Sequence, residues 1–325
     1  MPGELDVNGS DDWRLTRRGA LAASLLMGGA LLLRRAARAD GSPATRLPLI
    51  EKAIPASGEK LPVVGVGTNA FTARSPDDLA KRRAVLQALP ELGGKVIDTA
   101  AIYGESEAVI GEAVQSFAIR ARVFLATKVM ARDSGSGEAS IEESFRRLAT
   151  PRIDLFQVHN LMDMDQMVPR LQALKRAGRV RYVGITTSQP QDHERMADAM
   201  AKYPLDFIQV DYSIGSRDAA NRVLPLAQDR GLAVLINVPF GGRRGANAVF
   251  AQVRGRKLPD WAPEIDVTSW GQLFLKYVVS HPAVTCAIPG TTEVSHLRDN
   301  LAAAHGRLPD AALRKRIETL WDSFA

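Results

Sequence analysis

Four side chains of different chemistry stand at or just after the ends of short apolar runs: Asp98, Tyr103, Lys128 and His159. A phenol has an unperturbed pKa of about 10, but a nearby ammonium group stabilises the phenolate and lowers that pKa. We therefore expect Lys128, held in a charge pair with Asp98, to lower the pKa of Tyr103. Tyr103 would then protonate a carbonyl oxygen, and His159 would donate a hydrogen bond to the same oxygen. Such a set suits the reduction of an aldehyde or ketone.

Each of these residues, taken alone, also has an ordinary structural interpretation. Asp98 can cap a turn, Tyr103 can be a half-exposed aromatic, Lys128 can be solvated, and His159 can be a hydrogen-bonded core residue. Their joint placement at strand ends favours a catalytic site, because a parallel barrel builds its active site from the C-terminal ends of its strands.

Short apolar runs alternate with amphipathic stretches over residues 61–325. Strands are predicted at 63–67, 95–98, 123–128, 153–159, 180–186, 206–211, 232–237 and 284–288. Helices are predicted at 77–89, 105–117, 138–149, 165–177, 191–202, 218–230, 269–280, 293–304 and 311–324. Runs that are apolar on both faces are typical of parallel strands covered by helices. Eight such strand–helix units predict a closed α/β fold of the (β/α)8 TIM-barrel type.

The stretch 65–70, with the sequence GVGTNA, matches the fingerprint of a dinucleotide-binding βαβ unit. Such a unit opens a helix at once and carries an acidic residue about 20 residues further on. Here residues 71–76 intervene and the next acidic strand end is Asp98, which lies too far along the chain. We therefore interpret these glycines as a tight turn at the rim of the first barrel strand.

Five stretches, in this order, resemble the signature of the aldo-keto reductase family: VIDTAAIYG at 96–104, TK at 127–128, QVHN at 157–160, GRVRYVGI at 178–185 and AIPGTT at 287–292. The resemblance covers the chain from about Leu61 to Asn300. It implies a (β/α)8 barrel, bound NADPH, and reduction of an aldehyde or ketone or oxidation of the corresponding alcohol. Tyr103, Lys128, Asp98 and His159 match the family's catalytic positions.

The resemblance also implies a set of cofactor-binding residues. Barrels often bind phosphate with the loops after strands seven and eight, which here read PFGGRRG at 239–245 and GTTE at 290–293. Gln209 is expected to hydrogen-bond the nicotinamide amide. The full expected set is Thr68, Asn160, Thr186, Thr187, Gln209, Asn237, Pro239, Phe240, Gly241, Arg243, Gly290, Thr291, Thr292, His296 and Asn300.

Three positions depart from the family pattern. Asn237 stands where many members stack an aromatic ring on the nicotinamide. Gly290 and His296 stand where many members place a lysine and an arginine on the 2′-phosphate. These losses weaken the preference for NADPH and keep NADH as the alternative, unless Arg243, Arg244 or Arg298 compensates.

Residues 1–39 are predicted to be a signal peptide of the twin-arginine type, which engages the twin-arginine export machinery. Arg17 and Arg18 precede an apolar stretch at 20–33, which is shorter than the roughly 20 residues that span a bilayer, and 37–39 reads ARA. We expect residues 40–60 to be a tether and the mature protein to be periplasmic. An uncleaved membrane anchor is the alternative. Outside the cytoplasm, the cofactor would be loaded before export and recycled by a second substrate or a redox partner.

Composition narrows the remaining functions. The formal charge of +6 is modest, and no basic stripe carries interleaved aromatics, so nucleic-acid binding is not expected. The single cysteine, Cys286, excludes an intrachain disulfide and a cysteine-based zinc site, and no metal is expected. Substrate contacts are expected from Phe71, the loop 161–164, Phe240 and Trp261, which suggest a partly apolar mouth.

Two other functions remain as alternatives. One is an exported, non-catalytic barrel that binds a nicotinamide cofactor as a redox sensor or scaffold. The presence of all four reactive residues argues against it. The other is an isomerase or aldolase that uses Lys128 as a Schiff-base former, which the nearby Asp98 and Tyr103 disfavour.

Overall fold

The computed structural model describes residues 47–131, 134–241 and 249–324. The strands in these residues are β1 (Glu51–Ala53), β2 (Lys60–Pro62), β3 (Val66–Gly67), β4 (Val96–Asp98), β5 (Phe124–Val129), β6 (Ile153–Val158), β7 (Val180–Thr186), β8 (Phe207–Asp211), β9 (Ala233–Asn237) and β10 (Cys286–Ala287). The helices are α1 (Pro76–Glu91), α2 (Ser106–Ser116), α3 (Ser134–Arg147), α4 (Met164–Arg176), α5 (His193–Lys202), α6 (Val223–Asp229), α7 (Val249–Gln252), α8 (Trp270–Val279), α9 (Val294–Ala302) and α10 (Ala311–Asp322).

Strands β3 to β10 form one parallel sheet in chain order, with each strand hydrogen-bonded to the next. Isolated parallel bridges, Val64 with Ala287 and Gly67 with Gly290, join its first and last strands. The predicted (β/α)8 barrel is therefore confirmed. The first and last predicted strands are shortened to two residues each, because the rest of their pairing consists of single bridges across the closure.

Alternation along the strands gives the barrel interior two chemically different layers. The lower layer is apolar: Val96, Phe124, Leu155, Tyr182 and Phe207 belong to one buried cluster, with ring centroids 5.5 to 5.9 Å apart. Further along the same strands, the residues of the same face are Asp98, Lys128, Gln157, Thr186 and Gln209, and all of them are buried. The apolar layer closes the bottom of the barrel, so that the polar layer is available at its C-terminal end.

The sequence does not predict the antiparallel hairpin formed by β1 and β2. Ile54 and Leu61 of this hairpin are fully buried in the apolar layer. The Lys52 ammonium group donates to the carbonyl oxygens of Val279, His281 and Val284 at 2.8, 2.8 and 2.7 Å. Part of the segment expected to be a tether is thus ordered against the N-terminal end of the barrel. The predicted signal peptide at 1–39 and the tether residues 40–46 lie outside the described residues.

The predicted helices are confirmed, with ends that differ by up to four residues. The exception is 218–230, which divides into a 3₁₀ segment, Asp218–Asn221, and helix α6. A continuous helix would bring the ring of Pro225 against the carbonyl group of Asn221, four residues earlier, so the helix starts again at Val223. In the described parts of the chain, no helix combines the length and the apolar character needed to cross a membrane.

Candidate active site

Asp98 and Lys128 form an ion pair inside the polar layer. Asp98 ends β4, and Lys128 lies on the neighbouring strand β5 in a register that points both side chains into the barrel. The Lys128 Nζ atom is 2.6 Å from Asp98 Oδ2 and 2.7 Å from the carbonyl oxygen of Thr99. Lys128 is 1% exposed to solvent and Asp98 is 3% exposed. A buried charge pair of this kind is tolerated only when its remaining polar atoms are also satisfied.

Tyr103 and His159 complete the cluster that the sequence predicts. Tyr103 follows a turn in which its N–H donates to the carbonyl oxygen of Ala100. The Lys128 ammonium lies 5.2 Å from the centre of the Tyr103 ring. The imidazole of His159, which follows β6, packs edge-on to that ring with the centroids 6.0 Å apart. The four candidate catalytic residues are therefore in one place.

The pKa of Tyr103 differs from the sequence-based expectation. Burial of the phenol raises its pKa above the usual value, and this effect exceeds the lowering by the nearby Lys128. Lys128 lowers the pKa of Tyr103, as predicted, but the prediction that this pKa lies below its usual value is wrong. The sequence motif predicts which charged group lies near the phenol. It does not predict how far the fold shields the phenol from water, which is the effect that raises the pKa here.

His159 is neutral at physiological pH. Burial, with a further contribution from Lys128, lowers its pKa to about 3. Its Nδ1 atom is buried and has no hydrogen-bond partner among the described residues. A neutral imidazole still carries one N–H, so His159 can donate a hydrogen bond to a substrate oxygen without acting as an acid itself.

Two buried glutamines hold the second oxygen of Asp98. Gln209 Nε2 donates to Asp98 Oδ1 at 2.8 Å, and Gln157 Nε2 approaches the same atom at 3.4 Å. The Oε1 atom of Gln209 accepts from Thr186 at 3.0 Å and from Asn237 at 3.4 Å. These contacts connect the expected cofactor-binding wall to the ion pair. Gln157 is a functional candidate that was missed, although it lies on the same strand face as His159, two residues before it.

Asp98, Tyr103 and His159 line a cavity of about 650 Å³ at the C-terminal end of the barrel. Lys128 lies beneath its surface, paired with Asp98. Of the expected cofactor-binding residues, those that line the cavity are Thr68, Asn160, Thr186, Gln209, Asn237, Pro239, Phe240, Gly241, Gly290, Thr291, Thr292 and His296. The other lining residues are Gly67, Asn69, Ala70, Ser188, Val238, Ile288 and Glu293. Most of these additional residues adjoin a predicted one in the same loop, and that adjacency was the available signal.

Some expected residues do not reach the cavity. Thr187 is fully buried, and its hydroxyl donates to Asp192 at 2.9 Å instead of facing the opening. Asn300 is buried in α9 and does not line the cavity. Phe71 and Trp261, expected at the substrate mouth, belong to the hydrophobic core, which their apolar side chains favour. Arg243 and its neighbour Arg244 lie outside the described residues.

Two glycines explain the shape of the cavity wall. A Cβ atom on Gly67 would come within 2.7 Å of the carbonyl oxygen of Ile288, so this rim position requires glycine. A Cβ on Gly290 would lie 3.3 Å from Asn69 Oδ1, so the loop after β3 occupies the space next to Gly290. The helix that follows the 65–70 stretch begins only at Pro76, as the interpretation of a rim turn requires.

The loop after β9 carries backbone strain next to the cavity. Val238, a β-branched residue, has a φ of 47°, and the N–H of Gly241 donates to its carbonyl oxygen at 2.8 Å. Phe240 in this turn packs on Phe250 of α7, with the ring centroids 4.9 Å apart. A left-handed conformation at a β-branched residue costs free energy and is retained mainly where it shapes a functional site.

Comparison with known proteins agrees with this fold. The sequence profile of the Aldo/keto reductase family matches residues 63–321. Methylglyoxal reductase YeaE of Escherichia coli (strain K12) is 30% identical over 279 residues, which cover 81% of this chain and 93% of the relative. A probable aldo-keto reductase of Glycine max is 24% identical and covers 81% and 86%.

A solved structure has a similar fold over most of its length. The aldo/keto reductase from Klebsiella pneumoniae, crystallised in complex with NADP and acetate, is 25% identical with a TM-score of 0.65, covering 81% of this chain and 93% of that one. The protein is thus an oxidoreductase built on a (β/α)8 barrel. It belongs to the aldo/keto reductase family.

Proposed function

We propose that the protein reduces an aldehyde or ketone with a nicotinamide dinucleotide, or oxidises the corresponding alcohol, and that Tyr103 is the proton donor. The observation that carries this proposal is the grouping of Tyr103, His159 and Asp98 around one cavity, with Lys128 2.6 Å from Asp98 behind it. The dinucleotide, when bound, supplies the hydride for the carbonyl carbon.

The cavity fits a nicotinamide dinucleotide. The Oδ1 atom of Asn237 is buried without a hydrogen-bond partner among the described residues, and it borders the cavity. This acceptor suits the amide group of a nicotinamide, beside Gln209 and Thr186. Thr291 and Thr292 precede helix α9, whose first N–H groups suit a phosphate.

The four candidate catalytic residues supply the proton and stabilise the phenolate that its transfer leaves. Tyr103 keeps its hydroxyl proton at neutral pH, because the usual pKa of a phenol is about 10 and burial raises the pKa of Tyr103 further. On transfer of that proton to the carbonyl oxygen, the phenolate that forms lies beside the Lys128 ammonium, which stabilises it. Lys128 is in turn held by Asp98. His159 donates a hydrogen bond to the same oxygen and orients the substrate. Proton transfer from a positioned side chain, here Tyr103, typically raises the rate by about 10²- to 10⁴-fold.

The test is to incubate the purified protein with reduced nicotinamide dinucleotide and a panel of aldehydes and ketones. Reduction of each compound is measured as the decrease in absorbance of the reduced nicotinamide. The name of the Escherichia coli relative makes methylglyoxal the first substrate to try. We expect Tyr103→Phe to abolish reduction and to leave cofactor affinity nearly intact. Tyr203→Phe is the matched control, because the Tyr203 hydroxyl binds Asp165 away from the cavity. Wild-type turnover by Tyr103→Phe would overturn the assignment.

We also propose that residues 1–39 direct export by the twin-arginine route and are removed near Asp40. The support is the Arg17–Arg18 pair, the short apolar stretch at 20–33 and the ARA sequence at 37–39. Because export would separate the protein from the cytoplasmic nicotinamide pool, the cofactor would travel already bound. Intact-mass analysis of periplasmic protein should give a chain that begins near Asp40 and a co-purifying nucleotide. The full-length mass would instead indicate an uncleaved anchor.

A further inference from the structure

We infer that Glu293 sets the choice between NADH and NADPH. Its carboxylate would accept hydrogen bonds from the hydroxyl groups of the adenosine ribose and would disfavour a 2′-phosphate at the same place. The inference rests on the proposed function, because it concerns the dinucleotide that this cavity binds. It adds a specificity-determining residue to the site.

Topology places Glu293 across the barrel mouth from His159. His159 follows β6 and Glu293 follows β10, which is four strands further around a closed barrel of eight. Both residues line the same cavity. The reacting carbonyl contacts Tyr103 and His159, so the nicotinamide lies near them. The adenosine half of an extended dinucleotide then points toward the loops after β9 and β10, where barrels commonly bind phosphate.

Glu293 brings negative charge to this side of the cavity. Its Oε1 atom is 2.8 Å from the Nζ atom of Lys81, which projects from α1. The hydrogen bond from Lys81 lowers the pKa of Glu293, so the carboxylate is ionised at neutral pH. The same contact neutralises Lys81, which is therefore not a free cation for an incoming phosphate.

The described part of the cavity wall offers no compensating cation. Among the described residues that line it, none is a lysine or an arginine. The lining residues near Glu293 in the sequence are Gly290, Thr291, Thr292 and His296, and Gly290 has no side chain that could reach a phosphate. A 2′-phosphate would therefore meet a carboxylate, whereas free ribose hydroxyls would meet a hydrogen-bond acceptor. Acidic residues elsewhere in proteins recognise the ribose of NAD for this reason.

The test is isothermal titration of the full-length protein with NADH and with NADPH. We expect the wild type to bind NADH at least as tightly as NADPH. Glu293→Gln should raise the affinity for NADPH about tenfold, which corresponds to about 1.4 kcal/mol, and should change the affinity for NADH much less. Lys81→Met should bind NADPH more weakly than the wild type, because it leaves the Glu293 carboxylate unpaired.

Glu112→Gln is the matched control. Glu112 is exposed on α2 and pairs with Arg83 of α1, so the substitution removes the same charge without touching the cavity. It should leave both affinities unchanged. An equal effect of Glu293→Gln on both cofactors, no effect on either, or a strong wild-type preference for NADPH would overturn the inference. Failure of the wild type to bind either cofactor would instead refute the proposed function, and the inference with it.

Discussion

Lys128 is fully buried and Lys52 is partly buried, and they lie at opposite ends of the barrel. Lys128 is paired with a buried carboxylate and borders the candidate active site. Lys52 has no carboxylate partner within the described part of the chain, and it donates to three backbone carbonyl oxygens. Burial, with a smaller effect of Arg314, lowers the pKa of Lys52 to about 8.

The difference shows how one residue type serves two purposes. A lysine held by a single side-chain partner keeps its charge available to a neighbouring phenol. A lysine surrounded by carbonyl oxygens joins separate segments, here β1 to the end of α8 and the connection that leads from α8 to β10. We therefore expect changes at the two lysines to separate activity from stability.

The largest effect is expected at Lys128. Lys128→Met should abolish reduction and lower the free energy of unfolding by about 3–5 kcal/mol, because it leaves Asp98 as an uncompensated buried charge. The double variant Asp98→Asn with Lys128→Met should recover much of that stability and none of the activity. Urea unfolding and turnover, measured on both variants, check this. Recovery of activity in the double variant would show that the charge is not needed for catalysis.

Lys52→Met should show the opposite pattern. Loss of the donor to three carbonyl oxygens should lower the free energy of unfolding by about 2 kcal/mol, a typical value for hydrogen bonds to a charged group. Turnover per folded molecule should stay the same, because the hairpin covers the other end of the barrel. Lys60→Met, at an exposed position of the same hairpin, is the control. A selective loss of turnover at Lys52 would break the comparison.

A smaller effect is expected at Gln157. Gln157→Leu removes one donor to Asp98 and also removes Oε1, a buried acceptor without a partner among the described residues. Stability should change little, and the reduction rate should fall about fivefold, close to the value of about 1 kcal/mol for one hydrogen bond. The pH–rate profile should shift with it, which a merely structural role would not produce. Gln115→Leu, on the exposed surface, should change neither quantity.

The smallest effect on activity is expected from mild acid. Burial and nearby cations lower the pKa of His159 to about 3 and that of His281, at the opposite end, to about 4. The unfolded chain binds more protons between these values and about 6.5, so the free energy of unfolding should fall as the pH drops through that range. Reduction should show no inflection near pH 6.5. His281→Asn should flatten the stability profile without changing turnover, and unchanged acid sensitivity would contradict the assignment.

The eight barrel strands and their order could be predicted from the sequence. Alternation of apolar runs with amphipathic stretches is a local property, so it appears in the sequence as directly as in the fold. The four candidate catalytic residues were also predictable, because each stands at or shortly after a strand end and parallel strands bring their C-terminal ends together. The two-residue period along β6 even places Gln157 on the face of His159, although its contact with Asp98 was not foreseen.

Tertiary structure alone decided the rest. The contacts of Lys52 span more than 220 residues of sequence, and those of Gln209 with Asp98 span 111. No local pattern encodes such distances, so the hairpin, the glutamine contacts and the turning of Thr187 away from the cavity could not be predicted. The same reason explains the error about Tyr103. Its sequence neighbours and the motif reveal the cation that lowers its pKa, but the loss of water that raises that pKa depends on every segment packed around the phenol.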